Sequence, residues 1–176
     1  LTKTYLLIPG ISDTHEANLW KSDVAKMLKW SNDGGPFGTT MYAGSPEHVI
    51  RVFNTNPLKV PNKALSKIGV IVIVDAISTG GRSVSRRVRE LALVVPEKSG
   101  KPKLITLVGW EPDLDQYNFM DSQLAISNLS KHLNLDIDKL ESEINRLRRR
   151  LEAWIAIGTS TTSEVRKAVN QYYINQ

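Results

Sequence analysis

The chain has 176 residues, 41% of them hydrophobic, a formal net charge of +5 and no cysteine; its mean hydropathy is −0.24. That length supports one core with an appended segment, and the lack of cysteine excludes disulfides, thiolate metal sites and cysteine nucleophiles. No apolar run approaches the ~20 residues of a membrane-spanning helix and no signal peptide is visible, so the expectation is an intracellular protein, soluble or peripheral, whose basic charge suits an anionic partner.

Tyr5 to Ile8 is a short apolar run closed by Pro9-Gly10 and predicts a first strand. Ser12 or Asp13 can cap a following helix whose inner face carries Trp20, Val24, Met27 and Leu28. Asp33-Gly34-Gly35-Pro36 ends that unit. A second strand is expected at Thr39 to Ala43, leading through Gly44-Ser45-Pro46 into a helix over Glu47 to Phe53 with proline in its first turn. Asn54 to Lys67, with Pro57 and Pro61, reads as irregular. From Ile68 to Val74 the chain is almost unbroken valine and isoleucine, the composition of a strand covered on both faces of a parallel sheet. Asp75 marks its carboxyl end and Ser78-Thr79-Gly80-Gly81 turns the chain. A helix is expected from about Ser83 to Val95, with Val84, Val88, Leu91 and Val95 along one side and Arg82, Arg86 and Arg89 opposite. Leu104 to Val108 predicts another strand, and no strand character is read after Gly109. This βαβα order predicts an α/β fold: a mainly parallel sheet with βαβ crossovers over residues 1–115 and a helical C-terminal extension over 116–176.

In the extension, Leu133, Ile137, Leu140, Ile144, Leu147, Leu151 and Trp154 recur at alternating spacings of four and three. They predict a heptad-patterned helix over about 133–157, with Ile137 and Ile144 at a positions and Leu140 and Leu147 at d, the arrangement that favours parallel two-stranded coils. The stripe suits either packing within the domain or a homo-oligomer seam through Ile137, Leu140, Ile144, Leu147 and Leu151. Arg146, Arg148, Arg149 and Arg150 surround it, as a solvated basic face or an anion-binding surface. Gly158 and the polar run after it break the helix. Thr161 and Glu164 then have capping-box spacing, and a final helix is expected over about 163–174.

In open parallel sheets, ligands bind beyond the carboxyl ends of the strands. That rule marks Asp75, Ser78, Thr79, Gly80, Gly81, Arg82 and Ser83 as a candidate ligand-binding loop, because two glycines let the backbone approach a ligand and a helix starting there would aim free amides at an anion. Val74 to Gly81, reading Val-Asp-Ala-Ile-Ser-Thr-Gly-Gly, resembles the phosphoribosyl-pyrophosphate loop of type I phosphoribosyltransferases. The resemblance implies a phosphorylated ribose compound as ligand, with Ser78 to Ser83 around its 5-phosphate and Asp75 on the ribose hydroxyls. An active transferase would also hold Mg2+ at the pyrophosphate. Val74 stands where that family has its first acid and Arg82 where it has Thr or Ser, so the implied protein binds the sugar phosphate with degenerate catalysis.

Two alternatives use the same residues differently. Ala76 to Gly81 also resembles the nucleophile elbow of α/β-hydrolases, with Ser78 as nucleophile; His132 is the only histidine that comes after it in the chain. The other alternative is a non-enzymatic, basic, self-associating structural protein. It would bind nucleic acid or anionic membrane through Arg86, Arg89, Arg146, Arg148, Arg149 and Arg150, in the manner of viral matrix and nucleocapsid-associated proteins. The acids are scattered, without the spacing of a calcium loop or a histidine partner, so no resident metal site is read.

Overall fold

The structure, a computed structural model, describes residues 5–78, 84–120 and 122–174. It divides into two compact units, Leu1–Ala125 and Ile126–Gln176.

The first unit opens with β1 (Leu6–Ile8), α1 (Ser22–Asn32) and β2 (Phe37–Thr39). β1 and β2 pair in parallel, Leu6 opposite Phe37 and Ile8 opposite Thr39, so this segment has the expected βαβ order, but its second strand is Phe37–Thr39 and not the expected Thr39 to Ala43. Val24, Met27 and Leu28 bury the predicted face of α1. The helix starts later than Ser12 or Asp13 would place it, because the Ser12 hydroxyl is engaged in its own loop. It lies 2.9 Å from the Thr14 hydroxyl and accepts from Asn18 Nδ2 at 2.7 Å; such local bonds compete with capping. The N-cap of α1 is Lys21, which makes no side-chain capping bond.

α2 (Pro46–Asn54) obeys the expected pattern: the Ser45 hydroxyl accepts from the His48 amide at 3.2 Å, with Pro46 inside the first turn. The stretch read as irregular contains a short helix, α3 (Asn62–Leu65), which drives the fully buried Leu65 into the core. Burying a leucine of this kind is worth roughly 1.5–3 kcal/mol.

The expected mainly parallel sheet is overturned. β3 (Val70–Ser78), β4 (Val84–Pro96), β5 (Pro102–Glu111) and β6 (Gln116–Phe119) form a four-stranded antiparallel sheet in the order β3-β4-β5-β6. The segment expected to be a helix from Ser83 to Val95 is β4, and it pairs with β3 on one side and β5 on the other. Two physical effects decide this. Val84, Val88, Val94 and Val95 are β-branched and fit a pleated surface better than a helix, and a five-residue connection containing glycines is a standard hairpin link. The misleading stripe has its own cause. Ile73 pairs with Glu90 but Val74 with Val88, which leaves Arg89 as an extra, bulged residue; a bulge resets the period-2 alternation and can imitate helical spacing.

β3 is an edge strand with one covered face rather than a strand buried on both. Ile71 and Ile73 are 7% and 4% exposed, whereas Val70, Val72 and Val74 are 47%, 48% and 55% exposed. β6 also corrects the expectation that strand character ends at Gly109: Val108 pairs with Phe119 and Glu111 with Gln116. The core of this unit joins α1, α2, α3, β3 and β4 through residues such as Met27, Phe53, Leu65, Ile71, Ile73 and Val94.

The chain continues in α4 (Ser122–Leu133), α5 (Ile137–Ala156) and α6 (Thr162–Ile174). The heptad-patterned helix is therefore shorter at its start than its spacing suggests. Leu133 ends α4, Asn134 takes a left-handed φ of 51°, and Asp136 caps α5 by accepting from the Asp138 and Lys139 amides at 2.9 and 3.4 Å. The capping box of α6 forms as read. Thr161 Oγ1 accepts from the Glu164 amide at 3.3 Å, and Glu164 Oε2 accepts from the Thr161 and Ser160 amides at 2.9 and 3.1 Å. Those amide bonds hold the Glu164 carboxyl below its ordinary range. Among the described residues, no helix is long and apolar enough to cross a membrane.

Candidate functional site

The strand-end loop divides between described and undescribed residues. Asp75 and Ser78 lie on β3, whereas Thr79, Gly80, Gly81, Arg82 and Ser83 lie outside the described residues. The next element in the chain is a strand, so the helix whose free amides would receive a phosphate is replaced by the return arm of a hairpin. The parallel layer on which both enzymatic readings depend is likewise replaced by an antiparallel one. Asp75, assigned by resemblance to ribose hydroxyls, has a different partner: its Oδ2 is 3.1 Å from Nη1 of Arg89. Arg89 in turn donates through Nη2 to the Gly44 carbonyl, tying the bulge of β4 to the loop before α2. Arg86, opposite Ala76, is exposed on β4.

Sequence reasoning missed the strongest polar cluster of the sheet. Arg87 forks onto Asp115, Nε to Oδ1 and Nη2 to Oδ2, both at 2.9 Å, and the Trp110 indole donates to Asp115 Oδ1 at 2.9 Å. The hydrogen bond from Arg87, reinforced by that from Trp110, holds the Asp115 carboxyl at about 2. Arg87 is raised in return by the same hydrogen bond. Arg87 and Asp115 are 28 residues apart, so no spacing rule could have paired them. His15 and His48 each accept a backbone amide through Nδ1, from Ala17 at 3.1 Å and from Gly44 at 3.2 Å, and so serve as local turn and cap groups.

The arginines of α5 form a different kind of surface. Ser142, Arg146, Arg149, Arg150 and Ala153 have i, i+3, i+4 spacings and share one face of the helix, where they line an open concavity. α6 presents Tyr172 to this face. Arg146 Nη2 donates to the Tyr172 hydroxyl at 2.6 Å, and the guanidinium carbons of Arg146 and Arg150 lie 5.1 and 5.8 Å from its ring centroid, within the range of cation–π attraction. Glu143 accepts from Arg146 at 2.6 and 3.1 Å and raises its pKa. Arg148, on another side of the helix, is 3.8 Å from Glu152. The arginine run was legible in the sequence. Its division into an Arg146, Arg149 and Arg150 face beside Tyr172, with Arg148 apart, was not, because Tyr172 belongs to another helix.

No protein-family model matches this chain, and a search of curated proteins returned no match.

Proposed function

We propose that this protein is a non-enzymatic, basic binding protein that holds the phosphate backbone of a nucleic acid on the arginine face of α5. One observation carries the reading: Arg146, Arg149 and Arg150 converge on a single open concavity beside Tyr172. Guanidinium groups match phosphate oxygens in bidentate geometry, and an aromatic ring among arginines offers a stacking platform that accepts any base. Among the described residues one acid, Glu143, is ion-paired to the cluster, through Arg146, so Arg149 and Arg150 supply most of its attraction for phosphate. The net charge of +5 favours the same partner at long range. Such contacts position a backbone without reading its sequence.

The test is fluorescence anisotropy with a labelled single-stranded oligonucleotide. If three phosphates are neutralised, affinity falls roughly twenty- to forty-fold between about 50 and 200 mM salt, from a slope of about −0.7 to −0.9 per contact. Changing Arg146, Arg149 and Arg150 together to Gln removes most of the binding and flattens that slope. Affinity that ignores both salt and these substitutions defeats the proposal. Binding to phosphatidylserine vesicles without binding to the oligonucleotide would move the same surface to a membrane role.

A further inference from the structure

The apolar stripe of α5 is left uncovered over most of its length. Ile137, Ile144, Leu147 and Leu151 are 43%, 41%, 44% and 54% exposed; of the seam, Leu140 is the buried member. Uncovered leucine and isoleucine at a/d spacing on a 20-residue helix form a surface that a second helix of the same pattern would close.

The charges along α5 choose the occupant and its direction. Up to Ile144 the helix, with its cap, carries Asp136, Asp138, Glu141 and Glu143 against one cation, Lys139; from Arg146 onward it carries Arg146, Arg148, Arg149 and Arg150 against one acid, Glu152. A parallel, in-register pair sets acids beside acids and arginines beside arginines. An antiparallel pair with its two-fold axis between Ile144 and Leu147 does the reverse. There Ile144 of each copy faces Leu147 of the other, and Leu151 lies over the position of Leu140 in the second copy. Along such a seam like heptad edges meet, so Glu141 comes beside Arg148 of the second copy, and Glu143 beside Arg150 of the second copy. The helix dipoles also oppose in this arrangement. Ile at a with Leu at d taken alone favours a parallel pair, yet flanking charges set orientation in helical pairs.

We infer that this protein self-associates through α5 as an antiparallel homodimer, joined by Ile144, Leu147 and Leu151 and oriented by the acidic and basic stretches of the helix. The inference shares Arg150 with the face proposed for nucleic acid but is tested without nucleic acid, so either can fail alone.

Because the chain has no native cysteine, Ala156→Cys gives a single site for a spin label at the exposed far end of α5. Two labels on antiparallel helices crossing at this axis sit about 30 Å apart along the helix direction, from 1.5 Å per residue; in a parallel pair they are neighbours. Sedimentation equilibrium is expected to show a dimer, and pulsed dipolar spectroscopy the long separation. Arg148→Glu with Arg150→Glu sets acids against acids across the pair and is expected to raise the dimer dissociation constant at least roughly tenfold, the effect of about 1.4 kcal/mol. Adding Glu141→Arg and Glu143→Arg reverses the pattern and restores association. A monomer at every accessible concentration, a short label separation, or association indifferent to these exchanges overturns the inference.

Discussion

Asp115 is the residue whose environment most alters its chemistry. With Arg87 forked onto both oxygens and the Trp110 indole on one of them, its carboxyl titrates at about 2 against an ordinary value of 3.8. A folded-state value below the unfolded one means that the ionised form favours the fold. The contribution is complete above the ordinary value and disappears as pH falls through about 2. In an NMR titration the Trp110 indole N–H resonance should therefore move with a midpoint near 2, and Arg87→Leu should carry that midpoint back toward the ordinary 3.8. An ordinary midpoint in the unaltered protein would mean that the fork does not persist in solution. None of this was legible in the sequence, where Asp115 was one scattered acid among several. Asp75, read from the sequence as a ligand-binding acid, lies 3.1 Å from Arg89 in the fold, a partner its sequence position does not announce.

At the scale of elements, local chemistry was readable at two helix starts and misread at a third, where Ser12 and Asp13 do not cap α1. Ser45-Pro46 and the Thr161 to Glu164 box capped the helices they announced, and the αβ order was sound as far as β2. The reading failed where a long-range neighbour decides. Val84 to Val95 has a stripe compatible with a helix, but β3 and β5 give its amides and carbonyls strand partners on both sides, and tertiary pairing overrides so weak a periodicity. The correction is directly measurable: nuclear Overhauser contacts should join the backbones of Val72 and Leu91 and of Leu93 and Ile105, pairs that a helix at this position could not bring together. Observation of consecutive helical amide contacts over Val84 to Val95 would contradict the hairpin.

For the whole molecule, the sequence correctly suggested helices after the sheet and a concentration of arginine on one of them, but it mistook the sheet's direction. A phosphate loop of the expected type needs parallel strands feeding helices. Here the strands are antiparallel, and the phosphate surface proposed above lies on α5.

The half-bare outer ridge of β3 has a further effect on the life of the protein at high concentration. Val70, Val72 and Val74 stand outward beside the unpaired margin of the sheet, and the β-branched run from Val70 to Val74, without charge or proline, is the kind of tract that stacks chain upon chain into cross-β fibrils. Asp75, held by Arg89, is the first charge to interrupt it. Val72→Lys, which places a gatekeeper on the solvent side, is therefore expected to delay thioflavin-positive aggregation severalfold during storage or heating while leaving the circular dichroism spectrum unaltered. An unchanged lag time would locate the seed of aggregation elsewhere in the chain.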